Sequence, residues 1–146
     1  MTSLRVLPEK DFIARILSVL RSDPYLTQRF GAKVSEHISE WLPESGVKGT
    51  YPRIYLNNIN WEDSGTYTHW AFEGTVDFSI FSYGESSHDD VRDMASGLDA
   101  LTHSNLSNDA ICFVTFSVSG SSTQTSADGL TSAMVVTYTF RVTEGV

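Results

Sequence analysis

The chain has 146 residues, 10 Lys+Arg against 18 Asp+Glu for a net charge of −8, 40% hydrophobic residues and one cysteine. That length fits one domain spanning 1–146, able to bury about two-thirds of its unfolded surface without disulfides. A lone Cys112 excludes an internal disulfide, a CxxC redox pair and a cysteine-based zinc cluster, and 12% aromatics argue against disorder.

No apolar run reaches the roughly 20 residues of a membrane-spanning helix, so no membrane role is expected. The start, Met1 to Glu9, lacks the apolar stretch and cleavage site of a secretory signal. Charge is unevenly spread. Residues 1–53 hold eight basic and six acidic residues, whereas 54–146 hold Arg92 and Arg141 against twelve carboxylates. Such a split offers differently charged faces to different neighbours, or simply a solvated surface. Tight phosphate binding needs clustered Lys/Arg, and no basic patch with interleaved aromatics is present.

Pro8 to Asp11 opens a helix, with proline at a first-turn position and carboxylates near the positive end of the dipole. Phe12, Ile13, Ile16, Leu17 and Leu20 then give it one apolar face, worth roughly 10 kcal/mol on burial before entropy. Ser22-Asp23-Pro24 stops it and starts a short helix that ends at Gly31. Val34 to Glu40 fits a strand better than a helix, between Gly31 and Pro43, and 43–50 is a loop by composition. Tyr51 to Ile59 is a strand rich in aromatic and β-branched residues, with a turn at Glu62 to Gly65.

From Trp70 to Ile80 apolar residues recur at period two, as in a long half-buried strand. Ser87 with Asp90 has capping-box spacing for a helix whose stripe is Val91, Met94, Ala95, Leu98 and Leu101. Two more strands, Ala110–Val118 and Met134–Val142, flank a polar, mobile loop from Ser119 to Gly129. The expectation is an α+β fold: an antiparallel sheet of four to five strands with two amphipathic helices packed on one face.

Catalytic chemistry finds little support. His88, Asp89, Asp90 and Asp93 form the densest polar cluster, but acidic residues in a helix's first turns are expected from the dipole alone. His37, His69 and His103 show no metal-ligand spacing, and no GxSxG, GxxxxGK[ST] or GxGxxG pattern occurs. Cys112, in an apolar strand, is expected to be an inert core residue. Asn105-Leu106-Ser107 is a chance glycosylation match. No catalytic residue, cofactor or metal is assigned. The aromatics around one hairpin, Tyr51, Tyr55, Trp61, Tyr67 and Trp70 with His69, fit core and cross-strand pairs or a protein–protein surface.

Taken together, the helix Phe12 to Leu20 running into Asp23-Pro24-Tyr25-Leu26, the strand Tyr51-Pro52-Arg53-Ile54-Tyr55-Leu56, the alternation Phe72 to Phe81, the helix Asp89 to Leu98 and the closing strand Thr137 to Val142 resemble a known family. The pattern is similar to that of the tail terminator (tail completion, head–tail joining) proteins of tailed bacteriophages. It rests on element order and length over nearly the whole chain.

The resemblance implies a non-enzymatic virion protein, assembled in the host cytoplasm and located at the head–tail junction. Six copies would form a ring on the head-proximal end of the tail tube, ending its growth and joining it to the head connector. DNA would pass through the channel without specific binding. On this reading Arg53, Trp61, Tyr67, His69, Ser121, Thr123 and Gln124 are candidates for subunit or partner interfaces. Glu62, Asp63 and Asp128 are candidate channel carboxylates. A head-side neck or stopper protein, a small cytoplasmic ligand-binding module with an apolar pocket, and an unrecognised enzyme are the competing readings.

Overall fold

The computed structural model describes residues 8–31, 33–35, 52–66, 69–99, 101, 106–108, 111–125 and 129–144. In chain order these form α1 (Glu9–Ser22), a π-helical turn (Tyr25–Arg29), β1 (Lys33–Ser35), β2 (Arg53–Asp63), β3 (Ala71–Tyr83), α2 (Ser87–Gly97), β4 (Ile111–Thr125) and β5 (Thr131–Glu144). One five-stranded sheet runs in the order β1-β2-β3-β5-β4. All neighbours are antiparallel except β1, which lies parallel to β2 at the edge. The expected α+β fold is what the chain adopts.

Alternation along each strand sorts the sheet into two unlike faces. One face carries Ile54, Leu56, Phe72, Val76, Phe78, Ile80, Val136, Tyr138, Phe140 and Val142, all buried. Both helices cover this face: Phe12, Ile16, Leu17 and Leu20 of α1 and Val91 and Met94 of α2 join those residues in one core. Phe12 sits at its centre, with ring centroids 4.6 Å from Phe140, 5.0 Å from Trp61 and 5.4 Å from Phe113. Aromatic packing of this kind adds to the area term.

Two devices hold the helices in place. Buried Ser87, in the first turn of α2, shares a 2.9 Å hydrogen bond with buried Ser132 of β5. Gly97, near the end of α2, lies so close to the π-turn that a Cβ there would come within 2.7 Å of the Leu26 side chain. A second close approach shapes the sheet. The β2–β3 register shifts between Asn57 and Asn60, leaving Asn58 with φ +50°, a left-handed conformation that asparagine tolerates. Opposite this bulge, a Cβ on Gly74 would lie 1.8 Å from the Asn60 carbonyl oxygen, so only glycine fits.

Several expectations require correction. Glu62 and Asp63 belong to β2, and the turn begins only at Ser64. The Ser119–Gly129 loop is strand as far as Thr125, paired with β5 from Ile111↔Glu144 to Thr125↔Ser132. Its serine, glycine and threonine residues face solvent, so composition mimics a loop while the backbone hydrogen-bonds to β5.

The α2 capping box does not form either. Ser86 is the N-cap residue, and its Oγ donates to Asp90 Oδ2 at 3.1 Å and accepts no helix amide. Cys112 is only half-buried on the edge strand, where its Sγ accepts from Ser107 Oγ at 3.7 Å, because β4 lies at the rim of the core. The short second helix is a π-helical turn, closed at Gly31 with φ +65°. Of the expected strand Val34–Glu40, residues 36–40 lie outside the described residues, as does the loop at 43–50.

Candidate functional site

The face of the sheet opposite the core has a buried end, with Ser79, Phe81 and Ala133, and a polar remainder. By register it carries Tyr55 and Glu62 of β2, Glu73, Thr75 and Asp77 of β3, and Thr137, Thr139 and Arg141 of β5. Its centre is organised by the Asp77 carboxylate, which accepts from Thr137 Oγ1 at 2.6 Å and Asn58 Nδ2 at 3.3 Å. Asn60 Nδ2 donates to Thr75 Oγ1 at 3.2 Å beside it. Towards one end, Glu62 lies directly across from Glu73, and Arg141 flanks Glu73 from the other strand. Like charges paired across strands are destabilising, so Arg141 offsets part of that repulsion.

At another corner Arg53 lies 5.9 Å from the centre of the Tyr55 ring and donates to its hydroxyl at 3.1 Å. Tyr55 in turn packs edge-on against fully buried Phe81 at 5.8 Å. The cation is thereby held as part of a packed corner.

Candidate residues from the sequence fall in several places. Glu62 and Arg53 lie on the polar face. Asp63 pairs with Phe72 on the opposite face and accepts the Gly65 amide at 2.9 Å, so it does not join Glu62. Trp61 points to the helix side, packed 5.9 Å from Phe72 and 5.1 Å from Phe140. Its Nε1 is buried and makes no hydrogen bond. Exposed His69 meets Glu144 at 2.5 Å between Nδ1 and Oε1. Ser121 and Thr123 lie on the helix side of β4 and Gln124 on the other, all three exposed. Tyr67 and Asp128 lie outside the described residues.

Sequence reasoning missed Glu73 and Asp77 as members of the Glu62 face. Their period-two position among the apolar residues of β3 was the signal for it.

Catalytic chemistry gains no support from the ionisable groups described. Tyr138 is pushed up from 10.0 to about 12, chiefly by burial and then by the charge of Asp99, which keeps it a neutral phenol. Among the described residues, no three His, Cys, Asp or Glu side chains gather where a metal ion could be held. No helix among them is long and apolar enough to cross a membrane.

No protein-family model matches the chain, and no curated protein matches it. Among solved structures, a chain of the virion of a native gene transfer agent particle aligns with a TM-score of 0.70. The alignment covers 89% of this chain and 92% of that one, at 15% sequence identity. At that identity the likeness concerns the fold alone, over nearly the full length of both chains.

Proposed function

We propose that the chain is a structural virion protein, six copies of which form a ring that caps the head-proximal end of a tail tube, ends tube elongation and joins the tail to the head connector. The observation that carries this reading is the shared fold, over 89% of the chain, with a component of a gene transfer agent virion. The order of elements, which resembles that of tail terminators, supports the same role. A closed ring needs two different surfaces on each copy that fit one another, and contacts above and below it need further distinct faces.

The two-faced sheet suits such a ring. With helices outside, the polar face would line the channel, and Glu62, Glu73 and Asp77 would present carboxylates among threonine hydroxyls and asparagine amides. Fixed negative charge repels phosphates within about 8 Å at physiological salt, so DNA would pass without adhering. The tube protein, the connector and a second copy of the chain are the partners; no cofactor is involved.

The reading is tested by assembling particles without this chain. Tail tubes of irregular, extended length that fail to join heads are expected. Tails of normal length on infectious particles would refute the role.

A further inference from the structure

β4 is an outer strand of the sheet, with no described strand beyond it, and every residue from Ser117 to Thr125 is exposed. An outer strand turns about half of its main-chain N–H and C=O groups away from the sheet, which makes it a template for a further strand. Gly120 to Thr125 is the regular part of this stretch, paired with β5 without a break from Gly120↔Thr137 to Thr125↔Ser132. The register shift falls before it, between Val118 and Gly120, where Ser119 Oγ donates to the Thr137 carbonyl at 3.2 Å. A Cβ on Gly120 would meet nothing within 4 Å, so the approach to the strand is open.

Proteins normally blunt such an edge with lysine, proline or a bulge. Gly120 to Thr125 has none of these. The opposite outer strand is guarded: β1 carries Lys33, and Arg21 donates from Nε and Nη2 to the Val34 carbonyl at 3.1 and 2.9 Å.

Side chains select the partner. β4 is the one described strand with no charged residue, and it lies in the longest uncharged run of the chain, Ala110 to Ala127. A strand bearing carboxylates or ammonium groups would lose water there and gain no opposite charge. Hydroxyls set against hydroxyls do better, because serine and threonine both donate and accept. Ser121 and Thr123 supply hydroxyls on one face of β4 and Ser122 on the other. Among the described strands of this chain, the one that matches β4 is β4 itself.

We infer that two copies pair antiparallel through Gly120–Thr125 across a two-fold axis beside Ser122, joining two five-stranded sheets into one. In that register Ser122 meets Ser122 of the second copy and Ser121 meets its Thr123, so the three central pairs are all hydroxyl pairs. Net charge favours this approach: at −8 apiece, copies repel where carboxylates meet, and this edge has none. The contact goes beyond the ring reading, since an isologous contact links chains or rings in pairs and is not the head-to-tail seam of a ring.

Cysteine cross-linking of the full chain tests the pairing. In a Cys112→Ser background, the Ser122→Cys chain with a short bifunctional maleimide should give a covalent dimer on a denaturing gel. Ser96→Cys, exposed on α2, should not. Adding Ser121→Lys with Thr123→Lys sets like charges opposite one another, and should abolish the dimer while keeping the circular dichroism spectrum. Ser121→Glu with Thr123→Glu should do the same, and mixing the lysine and glutamate chains should restore a mixed dimer.

A Ser122→Cys chain that stays single would overturn the pairing. So would cross-linking that survives the two lysines, or lysine and glutamate chains that fail to combine. Each of these results leaves the ring reading to its own test on tail tubes.

Discussion

Gly74 offers a sharp test of the sheet's architecture. An alanine methyl group there would fall 1.8 Å from the Asn60 carbonyl oxygen and 2.8 Å from its carbonyl carbon. The obstacle is backbone, so no side-chain rotation relieves it. Restoring ordinary contact at about 3.4 Å requires β2 to retreat by roughly 1.6 Å, and overpacking of this severity costs at least about 3 kcal/mol. The retreat would also disturb the pairs Asn60↔Thr75 through Asp63↔Phe72 and draw Trp61 away from Phe12.

For a domain of about 150 residues, 3 kcal/mol lowers the melting temperature by roughly 10 °C. Thermal and urea unfolding of Gly74→Ala, followed by tryptophan fluorescence and circular dichroism, would measure it. A variant within about 0.5 kcal/mol of the parent would refute the close approach at the bulge.

Phe12→Ala removes the ring shared by Trp61, Phe113 and Phe140, and should cost about 3–5 kcal/mol in urea unfolding. Ser87→Ala or Ser132→Ala alone strands a buried hydroxyl at a cost of about 1–3 kcal/mol, whereas the double variant should lie closer to the parent, as a double-mutant cycle would show. Tyr138 holds its proton more tightly folded, at about 12, than unfolded, at 10.0. Its contribution is therefore complete below pH 10 and is lost as pH rises towards 12, by an amount of order 2–3 kcal/mol. Unfolding from pH 9 to 12 should fall less steeply in Tyr138→Phe, and an unchanged slope would contradict the assignment.

The elements that were legible in the sequence are those with one wet and one dry side. Phe12, Ile16 and Leu20 mark α1 because one stripe is buried, and Phe72, Val76, Phe78 and Ile80 mark β3 for the same reason. The outer half of β4 carries no such signal. Ser117 to Thr125 meet water on both faces, so neither period nor hydropathy distinguishes that strand from a loop.

The β2 bulge was equally hidden, since Asn57, Asn58 and Gly74 acquire meaning only when the strands are aligned. The candidate site was legible in part. Glu62 and Arg53 share the polar face, while Trp61 turns inward because the shifted register sets it opposite Gly74, leaving room for the indole beside Phe140. Val114 and Val118 of β4 stand more than half exposed, although the mixed stretch Ile111 to Val118 does not mark them apart from its buried members.

Electron microscopy of the purified protein, alone and added to tail tubes, tests the central claim most directly. The account expects six-fold rings with an open channel, seated on one end of each tube. A monomer that stays unassembled and leaves both tube ends bare would contradict it.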